Sequence, residues 1–199
     1  MPHSPSSTEI WLFRHGETEW SLSGAHTGRT DIPLTENGRK QAMALRPIVA
    51  KQSFDLVLTS PLSRAKETCQ LAGLGDKAQE DTNLYEWDYG EYEGKKTADI
   101  RKTIPDWSIW TTPIKEGESL DMVEKRAAAL IQRCLDHKGK IALFAHGHIL
   151  RILGAYWSAK KASFGAHLAL STASICKLGY ERENQVISTW NLTSHLENI

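Results

Sequence analysis

Ile10-Trp11-Leu12-Phe13-Arg14-His15-Gly16-Glu17-Thr18 is the stretch that decides the fold. Its apolar run is too short for a helix and stops abruptly at a polar cluster, as a buried strand does when it ends at something functional. Ile141 to Ala145 repeats the device and runs into His146-Gly147-His148. Leu56-Val57-Leu58 is a third short buried strand, and Ser60-Pro61 after it reads as an N-cap with proline at the first helical position, opening a helix to about Leu71.

Helical signals fill the spaces between these strands. Thr35 caps a helix to about Gln52, which Pro47 should kink. Ser119 opens a longer one, with Leu120, Val123, Ala127, Leu130, Ile131 and Cys134 on one stripe. An apolar helix follows Gly147 to about Trp157. Ile175–Tyr180 and Val186–Trp190 read as a closing hairpin around Glu183-Asn184, and a weaker strand precedes Leu84. Residues 16–34 show no period and read as a loop. Alternating strands and helices predict an α/β chain: one domain over 9–199, three layers α/β/α, with a mainly parallel sheet. Residues 1–8 are expected to be a flexible tail. The aromatic stretch of about 87–118, with Trp87, Trp107 and Trp110, is placed to cap a pocket, although core packing is the plainer reading of each tryptophan.

The chain's 199 residues, 40% apolar, suffice for a sizeable core. Its 24 basic and 24 acidic residues cancel, so no charge excess points to nucleic acid, and any anion site must be local. Three scattered cysteines, Cys69, Cys134 and Cys176, make neither a disulfide framework nor a C-x-x-C motif. No apolar run approaches the roughly 18 residues of a membrane span, and the first residues lack a signal-peptide core, so a cytoplasmic location is expected.

Ligands of open α/β sheets bind beyond the carboxyl ends of the strands. That rim would gather His15, His146, Arg14 and Arg64, the last one turn into the helix after Ser60. The planar guanidinium fork suits phosphate oxygens, and a neutral imidazole beside phosphate is a competent nucleophile. Taken singly, each of these residues reads as a solvated or internally satisfied side chain; the four together do not. His146 and His148 as a metal-ligand pair lack partners at suitable spacing. Asp88, Glu91 and Glu93 read more simply as solvated surface than as metal ligands.

These motifs resemble those of the histidine phosphatase superfamily, the phosphoglycerate-mutase-like fold. Arg14-His15-Gly16-Glu17-Thr18 matches its R-H-G-E/Q-S/T signature. Thr27-Gly28 with Asp31, Pro33-Leu34-Thr35 and Gly38 resembles its T-G-x-x-D-x-P-L-T-x-x-G stretch. Ser60 with Arg64-Ala65 and Thr68 resembles S-x-x-x-R-A-x-x-T. Leu84-x-Glu86 with Tyr89-Gly90 and Glu93-Gly94, and then Ala145-His146-Gly147, complete the order over roughly 9–190. The resemblance implies His15 as the nucleophile that becomes phosphohistidine. It implies Arg14, Arg64 and His146 as a clamp on the phosphoryl oxygens and Glu86 as proton donor to the leaving alcohol. Ser21, Thr27 and Gly28 stand at substrate-contacting positions, and Tyr89, Gly147 and His148 are added as substrate-binding candidates.

Among the family, the mutases carry a long basic insertion with an adjacent arginine pair. Residues 95–118 here hold Lys95, Lys96, Arg101, Lys102 and Lys115 but no such pair; Thr97 replaces a mutase lysine and His148 a mutase asparagine. The resemblance therefore implies hydrolysis. The expected activity is that of a metal-independent, acid-phosphatase-like phosphomonoesterase with no cofactor, acting on a small phosphorylated metabolite and releasing inorganic phosphate. A narrow sugar-bisphosphatase, a phosphoglycerate mutase and a non-catalytic phospho-ligand module follow as alternatives. No nucleic-acid or membrane partner is expected, and a homodimer is left open.

Overall fold

The computed structural model describes residues 8–197 and 199. The tail expected over 1–7 lies outside them, whereas Thr8, assigned to that tail, is already buried against the domain. Six strands form one sheet in the order β3-β2-β4-β1-β5-β6. They are β1 (Glu9–Arg14), β2 (Leu56–Thr59), β3 (Ala78–Glu80), β4 (Lys140–Ala145), β5 (Ile175–Glu181) and β6 (Asn184–Leu192). The first four run parallel, with Arg14 opposite Ala145 in register. The hairpin β5–β6 adds antiparallel at the β1 edge, so the sheet is mixed and mostly parallel.

The short apolar strands are explained by their two faces. Ile10, Leu12, Leu58, Ile141, Leu143 and Leu178 point into one core; Trp11, Phe13, Val57, Ala142, Phe144 and Ile175 point into the other. With helices on both faces, the central strands β1, β2 and β4 are buried almost throughout, and alternation gives way to continuous apolar runs. The first core packs under α6 (Leu120–His137) and α7 (Gly147–Ala159) and takes in Trp87, Trp107 and Ile109 of the aromatic stretch. The second packs under α2 (Glu36–Ala44), α3 (Arg46–Val49) and α4 (Ser63–Leu71), where Phe13 stacks on Phe144 at 4.5 Å.

Several elements depart from the sequence expectations. The loop 16–34 contains α1 (Glu19–Ser23), which buries no residue and so carries no apolar period. It is held by a reciprocal cap: the Ser21 N–H donates to Thr18 Oγ1, and the Thr18 N–H donates to Ser21 Oγ. The helix after Thr35 breaks at Leu45, two residues before Pro47, into α2 and α3. Ser60 does not cap α4; the helix begins at Ser63. Ser60 Oγ is engaged 2.7 Å from His146 Nε2, and Asp31 from the preceding loop receives the Ser63 N–H instead. The aromatic stretch, by contrast, carries a short helix as its sequence reads, the single turn α5 (Thr97–Ile100). No helix of the described residues is long and apolar enough to cross a membrane.

Candidate active site

β1 and β4 end side by side, and their polar tails meet there. The His15 N–H donates to the Ala145 carbonyl at 3.0 Å, and the His15 carbonyl accepts from the Ala173 N–H at 3.0 Å. The turn that follows is close-packed: a Cβ on Gly16 would lie 2.3 Å from the Gly38 carbonyl oxygen. Glycine is therefore required where the chain leaves β1. The His15 ring is buried, with Nδ1 2.6 Å from the Gly16 carbonyl oxygen. A carbonyl only accepts, so Nδ1 carries the proton and Nε2 keeps its lone pair. Burial, reinforced by the charges of Arg64 and Arg14, holds the His15 pKa well below the usual histidine value. The ring is neutral and nucleophilic.

Behind it lies His146, fully buried, its ring centroid 5.3 Å from that of His15. Arg64 Nε donates to His146 Nδ1 at 3.1 Å, so the proton sits on Nε2 and is donated to Ser60 Oγ. Burial and the Arg64 charge keep this ring neutral too. The rest of the Arg64 guanidinium donates to the carbonyls of Thr27, Gly28 and Thr30. These four bonds leave one of its five N–H donors free. Glu93 holds the same loop from the other side, accepting from the Gly28 and Thr30 N–H groups.

A cavity of about 240 Å³ opens in front of His15, walled by Arg14, Ser21, His26, Thr27, Glu86, Tyr89, Gly147, His148 and Arg151, among others. Most of the sequence candidates are brought together on this wall. Arg64, His146 and Gly28 stand behind it. Arg14 donates from Nη1 to the Leu170 carbonyl, while its Nε is buried without a partner among the described residues. A buried, unpaired cationic donor beside a cavity is a seat for an anion.

Glu86 meets the start of α7. Its Oε1 accepts from the Trp87 and Ile149 N–H groups and its Oε2 from His148, each at 2.9 Å. A carboxyl group at a helix N-terminus is placed where the free N–H groups and the dipole both favour it. Oε2, with one donor against two for Oε1, is the oxygen with room for a proton. Three backbone N–H groups are thus the immediate polar contacts of the carboxyl group. Arg126 of α6 fixes the preceding backbone, donating to the carbonyls of Asn83, Tyr85 and Glu86 while it pairs with Glu118 at 2.8 Å.

Tyr89, buried, places its hydroxyl 2.5 Å from His148 Nδ1. Burial raises the Tyr89 pKa well above its usual value and lowers that of His148 well below, so both are neutral. Three contributors were missed from sequence. His26 sits in the aperiodic loop and packs 5.0 Å from Tyr89. Arg126 lies beside the apolar stripe of α6 and reads as surface. Arg151 had a signal, being the one charged residue in Ile149-Leu150-Arg151-Ile152-Leu153. Among the described residues, no three His, Cys, Asp or Glu side chains converge as metal ligands would.

The model of the histidine phosphatase superfamily, branch 1, matches residues 10–193. The chain belongs to that superfamily. It is a phosphatase of the phosphomonoester hydrolase kind. It is 38% identical to an acid phosphatase of Mycobacterium tuberculosis over 195 residues, 96% of this chain and 95% of that one. It is 34% identical to a sedoheptulose 1,7-bisphosphatase of Saccharomyces cerevisiae, over 73% of this chain and 66% of the yeast protein. A solved M. tuberculosis open-reading-frame product superposes with a TM-score of 0.88 at 37% identity, covering 94% of this chain and 98% of that structure. A mycobacterial glucosyl-3-phosphoglycerate phosphatase superposes at 0.81 with 26% identity, over 92% and 98%.

Proposed function

We propose that this histidine phosphatase is a metal-independent phosphomonoesterase that hydrolyses small organic phosphates through a phosphohistidine on His15. The observation that carries the reading is the His15 tautomer: the Gly16 carbonyl fixes the proton on Nδ1 and leaves the Nε2 lone pair for the cavity. Neutrality is maintained into mild acid by burial and two guanidinium groups. Nε2 forms the N–P bond as the bond to the leaving oxygen breaks, and that oxygen takes a proton from Glu86. Water then gives a proton to the Glu86 carboxylate and attacks phosphorus, and the N–P electron pair returns to Nε2 as inorganic phosphate departs.

The phosphoryl group needs little covalent help but much charge stabilisation. Arg14, with its unpaired Nε, and the free N–H of Arg64 are the donors assigned to the phosphoryl oxygens. His146 positions Arg64 through the Nε–Nδ1 bond, its own Nε2 proton being donated to Ser60. Arginines thus supply the positive charge that a divalent ion supplies in other phosphatases. A cavity of about 240 Å³ suits a small substrate. Relatives named for acid phosphatase and bisphosphatase activities support a hydrolase of this kind.

Rapid quench with a labelled substrate tests the intermediate. Wild type should yield an acid-labile, base-stable phosphoprotein. His15→Ala should yield none and turn over about 10⁴-fold more slowly or worse, as enzymes do without their nucleophile. More than a few per cent residual activity in His15→Ala would overturn the assignment. Activity in EDTA should equal that without it, and recovery only on adding a divalent ion would remove the metal-independent reading.

A further inference from the structure

The turn 171–174 enters β5 beside the end of β1 and holds the residues there. It is closed on itself, the Ser174 N–H donating to the Ser171 carbonyl at 3.3 Å and Ser174 Oγ to the same carbonyl at 2.7 Å. Its outward bonds go to Arg14 and His15. The Ala173 N–H donates to the His15 carbonyl at 3.0 Å, and the Ser174 carbonyl accepts from the Arg14 N–H at 3.3 Å. One residue ahead of the turn, the Leu170 carbonyl accepts from Arg14 Nη1.

The turn's conformation is not one that its sequence favours. Ala173 has φ 52° and is fully buried. It is the third residue of the turn, where a positive φ ordinarily calls for glycine because a Cβ crowds the following carbonyl. Such a residue persists only where its surroundings hold it. Here two side chains beyond β5 do so. Asn191, near the end of β6, accepts from the Ser171 N–H at 2.7 Å. His195, in the short turn Ser194–Leu196, brings Nε2 within 2.9 Å of the Ala173 carbonyl. A carbonyl only accepts, so Nε2 carries the proton and donates it. Nδ1 is buried and has no partner among the described residues, so the bond to Ala173 is the ring's one hydrogen bond there. Burial lowers the His195 pKa and keeps the ring neutral. Ala173 is thus gripped at both backbone groups, by His195 on its carbonyl and by His15 on its N–H.

We propose that His195 is a positioning residue for the nucleophile. By holding the Ala173 carbonyl it keeps Ala173 in its left-handed conformation with the N–H on His15, and so fixes where the His15 ring stands in the cavity. It acts on the rim's backbone from outside the rim and touches no substrate. Misplacing a reacting group by about 1 Å can cost about 10²-fold in rate, so a remote bond of this kind can count. The proposal rests on the phosphohistidine reading, since it concerns the placement of His15. The competing account is that His195 only pins residues 194–196 to the domain.

The test reads the first chemical step as kcat/KM for p-nitrophenyl phosphate, phosphate binding as the inhibition constant of inorganic phosphate, and stability as melting temperature. Kinetics are run well below the melting range. His195→Phe keeps a ring but has no donor, and its kcat/KM should fall about tenfold or more while the inhibition constant stays within about threefold. His195→Gln, whose amide N–H reaches where the ring Nε2 stood, should restore most of the loss. Ile131→Val, in the α6 stripe, is the stability control and should lower the melting temperature at unchanged kcat/KM. A His195→Phe within about threefold of wild type in kcat/KM overturns the proposal. So does a His195→Gln no faster than His195→Phe, or an Ile131→Val that loses as much kcat/KM for the same fall in melting temperature. Should His195→Phe fail to fold, His195→Asn, whose amide is too short to reach, takes its place, and equal rates in His195→Asn and His195→Gln overturn the proposal. Phosphate release by wild type without a phosphoprotein on His15 removes the reading on which the proposal rests. A phosphoprotein formed equally fast in wild type and His195→Phe removes the proposal alone.

Discussion

The strand-end rim and the aromatic stretch over it are built on different principles. On the rim, backbone does the positioning: His15 is bracketed by Ala145 and Ala173, and Glu86 is held by the N–H groups at the start of α7. In the stretch 87–118, side chains do it. Trp87 Nε1 donates to the Glu118 carbonyl, Trp87 and Trp110 meet edge to face at 5.7 Å, Tyr92 and Trp107 at 5.0 Å, and Glu118 is locked by Arg126. A rim held by backbone keeps its geometry when one side chain changes. An assembly held by side chains does not. The two regions should therefore answer mutation differently, the rim in chemistry and the aromatic stretch in stability.

Glu86→Gln is the strongest attempt to break that contrast. The variant keeps the shape and an acceptor oxygen for the Trp87 and Ile149 N–H groups but has no acidic proton to give. Turnover of alkyl phosphates should fall about 10²–10⁴-fold, the usual range for a general acid. The loss should shrink with p-nitrophenyl phosphate, whose leaving group barely needs a proton, and the melting temperature should move little. Equal losses for good and poor leaving groups would show that Glu86 is not the acid. Asp88, whose Oδ1 accepts from the Gly90 N–H, and Glu91 would then be examined in turn.

Arg126→Met probes the other side. Glu118 is buried, and burial alone would raise its pKa; the hydrogen bonds and charge of Arg126 outweigh that and lower it. Removing the arginine leaves the buried carboxylate only the Asp88 N–H and Arg29, 3.4 Å away, and frees three carbonyls before Trp87. The cost should be about 3–5 kcal/mol of stability, typical for breaking a buried pair from one side. Denaturant titration of Arg126→Met, Glu118→Gln and the double variant measures the coupling. Strict additivity would show that the pair does not hold the stretch. A loss of activity with stability intact would reverse the contrast between the regions.

The same difference governs what the sequence revealed. Strand ends are legible because a buried strand must be apolar throughout, so Arg14-His15-Gly16 and His146-Gly147 announce themselves at the break. The α6 stripe is legible for the same reason, and Ser119 caps that helix as read. Arg126 was not, because a cation beside an apolar stripe looks the same whether it faces water or a buried carboxylate. Ser60-Pro61 misled because the site recruits Ser60 for His146, a demand no local signal carries. The helix at Glu19–Ser23 buries nothing, so only its T-x-x-S cap could have marked it.

Acid titration should separate the two regions most gently. Burial, with neighbouring arginine charges, depresses the pKa values of His15, His146 and His148 well below the usual 6.5. The unfolded chain therefore binds protons there before the folded one does. Stability contributed by these groups is complete above about 6.5 and is lost as pH falls below it, by up to about 1.4 kcal/mol per pH unit for each histidine. Glu118 behaves alike at lower pH: its folded pKa lies below the ordinary 4.5, so its contribution holds above that value and fades as pH falls through the folded one. Melting temperature should thus decline from about pH 6.5 downward through the rim histidines, and steepen below about pH 4.5 as the aromatic stretch joins. His148→Gln keeps a hydrogen-bonding partner for Tyr89 but removes one titrating group, and should flatten the upper segment alone. An unchanged melting temperature between pH 7.5 and 5 would mean that the imidazoles are protonated in the folded protein. The neutral nucleophile of the proposed mechanism would then be lost in mild acid.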